Sequence, residues 1–197
     1  ITLTNAGNDL AKVKLQSRNP ADNDVGSGAI ALHDANGFAV SEISTSGNAT
    51  LTALGAITTD SVDFGDGHIV ANALSVKTLN DAGADIQLTA GTNDVNTLTL
   101  KVRNADDSAI AGETTTPTGT IRFTDFDGVA VTSIETGGST ILTAGAAVTQ
   151  TGAIVSDKLG LSGAGSFTLN SASLGTPINQ VSTFASDASG AVNFSSQ

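Results

Sequence analysis

The residues of this chain with the most evident chemistry are carboxylates. Asp22, Asp24, Asp34, Asp60, Asp63, Asp66, Asp106, Asp107, Asp125 and Asp127 sit in turns rich in glycine, asparagine and serine. Hard oxygen ligands in such turns are what calcium takes, so calcium is the one cofactor the sequence raises. Their spacing follows neither the EF-hand loop nor the glycine-rich nonapeptide that binds calcium between parallel coils. The expectation is therefore solvated acidic turns and no cofactor. His33 and His68 could serve as metal ligands or a general base, but the chain has no cysteine, and a transition-metal site would have only carboxylates to add to them. Position 33 becomes Thr124 in a second copy of the same stretch, and His68 falls in an insertion. Both histidines are expected at the surface.

Paired carboxylates beside a basic residue can also cleave glycosidic bonds. Asp63 and Asp66 with Lys77, or Asp125 and Asp127 with Arg122, could be cast in those roles. Sugar platforms normally use Trp or Tyr faces, and there are none. Arg18 recurs as Arg103, which suits a turn framework better than a unique active site. The reading is of a protein that is not an enzyme, with a polysaccharide-active enzyme as the alternative. The pairs Thr2/Thr4, Thr50/Thr52 and Thr97/Thr99 raise ice binding, but they recur irregularly, and threonine as a strand former explains them.

Composition narrows the elements that must position these groups. The 197 residues include 22 Gly, seven Phe as the sole aromatics, and no Cys, Met, Trp or Tyr. Without large anchors, stability must come from small apolar side chains stacked in register and from backbone hydrogen bonds, which favours a quasi-one-dimensional structure. A net charge of −11 disfavours nucleic acid and anionic membranes as partners. No apolar run approaches a membrane span, and a chain opening on Ile1 reads as a mature or excised piece.

The chain repeats itself. Gly28 to Asp60, GAIALHDANGFAVSEISTSGNATLTALGAITTD, aligns without a gap on Gly119 to Thr151, GTIRFTDFDGVAVTSIETGGSTILTAGAAVTQT, with 14 of 33 positions identical. Ile1 to Asn23 likewise matches Ile86 to Ser108, sharing Asn8-Asp9/Asn93-Asp94, Leu15/Leu100, Arg18-Asn19/Arg103-Asn104 and Asp22/Asp107. The two offsets are 85 and 91 residues, and the difference falls in DDSAIAGETTTPTG, which reads as a longer loop. A third copy opens at Phe167-Thr168-Leu169-Asn170. Residues 1–197 are thus read as one continuous segment, with repeats at about 1–85, 86–166 and 167–197 (partial).

Within each copy, short alternating runs such as Val13-Lys14-Leu15, Ile30-Ala31-Leu32, Leu98-Thr99-Leu100 and Ile121-Arg122-Phe123 specify strands, and no stretch carries helical spacing with caps. Brief strands every ten or so residues fit a parallel β-helix with coils of about 20 residues, or tandem immunoglobulin-like β-sandwiches. The absence of Trp and Tyr, the small residues at strand positions and the incomplete third copy favour the all-β solenoid.

The phrases ITLTNAGNDLAKVKL, ALHDANGFAVSEISTSGNATLTALGAI, ALSVKTLNDAGADIQLTAGTNDVNTLTL and STILTAGAAVTQTGAIVSDKLGLSGAGSFTLN resemble the long repeats of filamentous-haemagglutinin-type exoproteins. The resemblance covers nearly the whole chain. It implies a right-handed parallel β-helix from a large bacterial surface or secreted adhesin, exported by two-partner secretion or in autotransporter fashion. The implied role is a structural or adhesive rod or filament segment, extracellular or on the cell surface. Its partners would be adjacent coils or identical subunits end to end, and a receptor or glycan on a host or neighbouring cell.

Two structural expectations follow. The duplicated apolar set, Ile30, Leu32, Val40, Ile43, Leu51 and Ile57 with Ile121, Phe123, Val131, Ile134, Leu142 and Val148, should point into the bore and stack in layers, in a rod of about ten coils and about 50 Å. The end strands, Ile1, Thr2, Leu3 and Thr4 at one end and Ala191, Val192, Asn193 and Phe194 at the other, are the candidate end-to-end contacts, because an uncapped coil presents unpaired backbone groups.

Overall fold

A computed structural model describes residues 1–60, 62, 65–108, 118–170 and 179–197. Asp63 and most of the longer loop in DDSAIAGETTTPTG lie outside the described residues. In chain order the strands are β1 (Thr2–Leu3), β2 (Lys12–Gln16), β3 (Ile30–Asp34), β4 (Phe38–Ser44), β5 (Asn48–Ala53), β6 (Ile57–Thr59), β7 (His68–Leu79), β8 (Ile86–Leu88) and β9 (Asp94–Arg103). They continue as β10 (Ile121–Asp125), β11 (Ala130–Glu135), β12 (Ser139–Ala144), β13 (Thr149–Gln150), β14 (Ile154–Gly163), β15 (Phe167–Leu169), β16 (Gln180–Ala188) and β17 (Val192–Phe194). Among the described residues there is no helix.

Among the described residues every strand pairing is parallel, and the single antiparallel contact is an isolated bridge between Arg18 and Val25. Sandwiches of the immunoglobulin kind need antiparallel ladders, so the alternative falls and the fold is a parallel β-helix. The strands split by parity. β1, β3, β5, β7, β9 and β11 stack as one sheet, and β2, β4, β6, β8, β10 and β12 stack as the other. β7 and β14 turn the corner between them: His68–Val70 of β7 pair with β4, while its Ala73–Thr78 pair with β5.

Coils are tightest where the duplicated block supplies them. Ile30 pairs with Ala49 and Ile121 with Thr140, each a step of 19 residues. Elsewhere turns lengthen the coil: Leu74 pairs with Leu98, 24 residues on, and Leu98 with Val131, 33 residues on. The even-numbered sheet consequently has eight layers, β2 to β16, and at about 4.8 Å per layer the rod is roughly 35 Å long. The expectation of ten coils and about 50 Å is corrected accordingly.

All of the expected core positions are buried, with the alternating pattern of each strand turned so that apolar residues face the bore. Leu32 lies over Leu51, which lies under Val76 and then Leu100, and Phe123 lies over Leu142 and Leu161. The two copies do not stack on each other, however. Corresponding elements are seven strands apart (β1 with β8, β3 with β10, β5 with β12), and seven is odd. Each homologous pair therefore occupies opposite sheets, and the duplication spans three and a half coils.

Coil-to-coil approach explains two of the shared glycines. A Cβ at Gly37 would run into the carbonyl of Ala56, and one at Gly128 into that of Ala147, which are the same positions in the two copies. Gly47 and Gly138 are similarly closed in by Ser27 and Thr118.

Candidate functional site

The repeated polar residues hold neighbouring coils together. The side-chain amide of Asn8 donates to the carbonyl of Leu3 in its own coil (2.8 Å) and of His33 in the next (2.9 Å). In the second copy Asn93 donates to Leu88 (3.1 Å) and Thr124 (2.8 Å), and its Oδ1 accepts the Ile69 N–H of the preceding coil (2.8 Å). Asn179 repeats the arrangement a third time, donating to Leu169 and Ser195 (3.0 Å each) and accepting from Ile154 (2.8 Å). Asn93 and Asn179 are completely buried, so each satisfies backbone groups that would otherwise be stranded away from water. Thr45 and Thr136 work alike at another corner. Thr45 donates to Gly28 (2.8 Å), Thr136 to Gly119 (2.5 Å), and each hydroxyl accepts an N–H two residues on, from Gly47 and Gly138.

Charged residues form rows across the coils. Lys77 meets Asp107 (2.6 Å), Asp107 meets Arg103 (3.0 Å), Arg103 meets Glu135 (2.9 Å) and Glu135 meets Lys101 (2.7 Å), joining β7, β9 and β11. On the other sheet Glu42 receives Lys14 (2.7 Å) and Gln16, with His68 at 3.9 Å. Burial pushes both Glu42 and Glu135 up, but the paired donors and cations outweigh it and hold both below the ordinary glutamate range. These carboxylates are ionised structural links.

Arg18 and Arg103 hold the turns that follow them, as expected of a framework residue. Each donates through Nε to the carboxylate and through Nη2 to the backbone carbonyl of the aspartate four residues on, Asp22 or Asp107. Both aspartates have positive φ, 53° and 58°, so the arginine pins a left-handed turn.

Several expectations about chemistry are corrected. The acidic turns are not uniformly solvated: Asp34, Asp60 and Asp125 are buried. Asp60 is tied to Ser41 (2.9 Å) and Lys12 (3.1 Å). Among the described residues no three acidic or histidine side chains gather where a metal ion could sit. The histidines are not surface residues either. His33 is half-buried with its Nε2 enclosed, and His68 is half-buried against Asp66 and Glu42. Of the groups cast for glycosidic cleavage, Asp63 lies outside the described residues, and the basic partners stand apart from the carboxylates assigned to them. Arg122 faces solvent while Asp125 faces inward from the same strand, and Lys77 is engaged by Asp107 while Asp66 binds His68 and Thr92. The threonines form no regular array, since the row through Thr2 and Thr50 contains Ala31 and Ser75, and the row through Thr52 contains Lys77 and Lys101.

The candidate contact residues lie at opposite ends of the stack. Among the described residues, β1 pairs only with β3 and β2 only with β4, while β16 pairs only with β14 and β17 only with β15. Ile1 and Leu3 are exposed at one end, Thr2 and Thr4 beside them. At the other, Ala191, Val192 and Asn193 are exposed and Phe194 is half-buried, its ring stacked on Phe184 at 4.4 Å. Leu3 lies in register with buried Leu32, and Phe184 with buried Leu159, so both are bore positions left open by the last coil. Compared with family models, curated proteins and solved structures, the chain matches none.

Proposed function

We propose that this chain is a structural segment of a rod or filament, of the filamentous-haemagglutinin type, in a large bacterial surface or secreted protein. The observation that carries the reading is the parallel stacking of the described strands, tied from coil to coil by Asn8, Asn93 and Asn179. Tension along the chain meets many backbone hydrogen bonds in parallel, backed by buried side-chain staples, as a stalk requires. The open bore positions at Leu3 and Phe184 suit further coils of the same kind, and Ile1–Thr4 and Ala191–Phe194 are the residues that would meet them. The turns between strands would carry the surface presented to a receptor or glycan.

Single-molecule pulling between residues 1 and 197 tests this reading. A structural rod should give a succession of high-force steps, each releasing about one coil, and Asn93→Ala should lower the force at the steps nearest it. Collapse of the whole chain in one low-force event would remove the mechanical role.

A further inference from the structure

The duplication supplies an internal control at one point where the copies differ. In the first copy Asp34 closes β3 in the interior, and each carboxylate oxygen accepts a backbone N–H, Oδ2 from Leu10 (2.8 Å) and Oδ1 from Asn36 (3.0 Å). The corresponding Asp125 is equally buried, but its Oδ2 accepts Val95 N–H at 3.3 Å, and its Oδ1 makes no hydrogen bond of normal geometry, the Asp127 N–H only approaching the carboxyl. Where the first copy has Asn36, the second has Asp127, a carboxylate two residues on in the same turn that accepts the Gly128 N–H (2.6 Å). Two carboxylates in one turn, one of them enclosed, cannot both carry charge cheaply without a compensating positive group.

The surrounding elements supply none. Asp127 is on the same turn as Asp125, and on β9 the charged residue next to Val95 is Asp94, another carboxylate and exposed. Arg122 of β10 is on the solvent face, and Lys101 and Arg103 of β9 are engaged by Glu135. β8 and β12 contain no charged residue.

We propose that Asp125 and Asp127 share a proton, forming an acid–carboxylate pair that fastens the turn between β10 and β11 and releases it as the medium becomes alkaline. The first copy, with Asn36 in place of Asp127, has no such clasp. Burial above all, and then the Asp127 carboxylate, push Asp125 up to about 7, which sets the transition in the neutral range. Below the ordinary carboxyl range, folded and unfolded chains both hold the proton. Between that range and about 7 only the folded chain holds it, so stability falls as pH rises through this window and levels off above it. Release leaves two adjacent charges, and the turn residues Phe126 and Asp127 are pushed outward. The Phe126 N–H bond to Asn93 weakens with them, while the Val95 N–H faces a charged and therefore stronger acceptor.

Carboxyl carbon NMR of the full chain, with hydrogen exchange at Val95 and Phe126, tests the clasp in the wild type, Asp127→Asn and Asn36→Asp. The wild type should show one buried carboxyl titrating near neutrality, with faster exchange at Phe126 but not at Val95 above that point. In Asp127→Asn, which restores the first copy's arrangement, the titration should move down by about one pH unit or more. Asn36→Asp should install a second, similar transition at Asp34. A titration unmoved by Asp127→Asn overturns the proposal. So does a wild-type melting temperature at pH 8 that rises with millimolar calcium while that of Asp127→Asn does not, because a cation would then occupy the place assigned to the proton.

Discussion

The turns at Arg18 and Arg103 are built from the same instruction, yet they are held very differently. Both arginines grip an aspartate four residues on. Arg18 does so at the first coils with its side chain 39% exposed, and among the described residues it makes no further ion pair. Arg103 lies mid-stack, 13% exposed, and reaches Glu135 in the next coil while Asp107 receives Lys77 from the coil before. The asparagine staples show the same contrast: Asn8 bridges two coils and Asn93 three. In a solenoid the local sequence sets the turn, but the number of neighbouring coils sets how much that turn contributes.

The comparison can be broken most severely in the bore. Leu51 and Leu142 occupy opposite sheets, yet both are buried, so Leu51→Asp and Leu142→Asp should each cost about 3 kcal/mol or more in denaturant unfolding. A variant that melts like the wild type would show its position to be outside the core. Next in size are the staples. Asn93→Ala strands the Ile69 N–H and two carbonyls and should cost about 3 kcal/mol, whereas Asn8→Ala, half-buried and at an edge, should cost about 1. Equal losses would mean that neighbouring coils do not matter. For the arginines, Arg103→Ala should cost about 1–2 kcal/mol and Arg18→Ala about 0.5 or less.

The smallest effect is an acid one. Glu42 and Glu135 are held below their ordinary value of 4.5, so the stability they contribute is present above it and is lost as pH falls through their lowered range. Glu135→Gln should shrink that loss at the Arg103 row and leave the Glu42 row untouched, as read by melting at pH 3 against pH 6.

Much of this was legible in the sequence. Alternation at Ile30-Ala31-Leu32 and its copy at Ile121-Arg122-Phe123 fixes which side chains enter the bore, because a strand has only two faces. The Arg18/Arg103 turn was visible as a repeated arginine and aspartate four apart. What sequence could not show is the half-coil offset. That depends on counting strands, and β6 and β13 are too short to register as separate elements from pattern alone. The offset puts β8 over β6, when matching copies in phase would put it over β7. Asn179 was missed because the segment before it differs in length from those before Asn8 and Asn93. The repeated Asn-Asp pair was noticed, but Asn179 is followed by Gln180. The burial of Asp34 and Asp125 was misread because a strand-end aspartate beside a turn looks solvated until the coils on either side cover it.

The most direct measurement uses the absence of native cysteine. Thr58 and Gln87 are opposite one another on β6 and β8, and neighbouring parallel strands bring their Cα atoms to about 5 Å, within disulfide range. Thr58→Cys with Gln87→Cys should oxidise to an internal disulfide in the folded chain, and Ser75→Cys with Gln87→Cys should not. The reverse outcome would place β8 over β7, make the repeats whole numbers of coils, and contradict the two-sheet alternation on which the account rests.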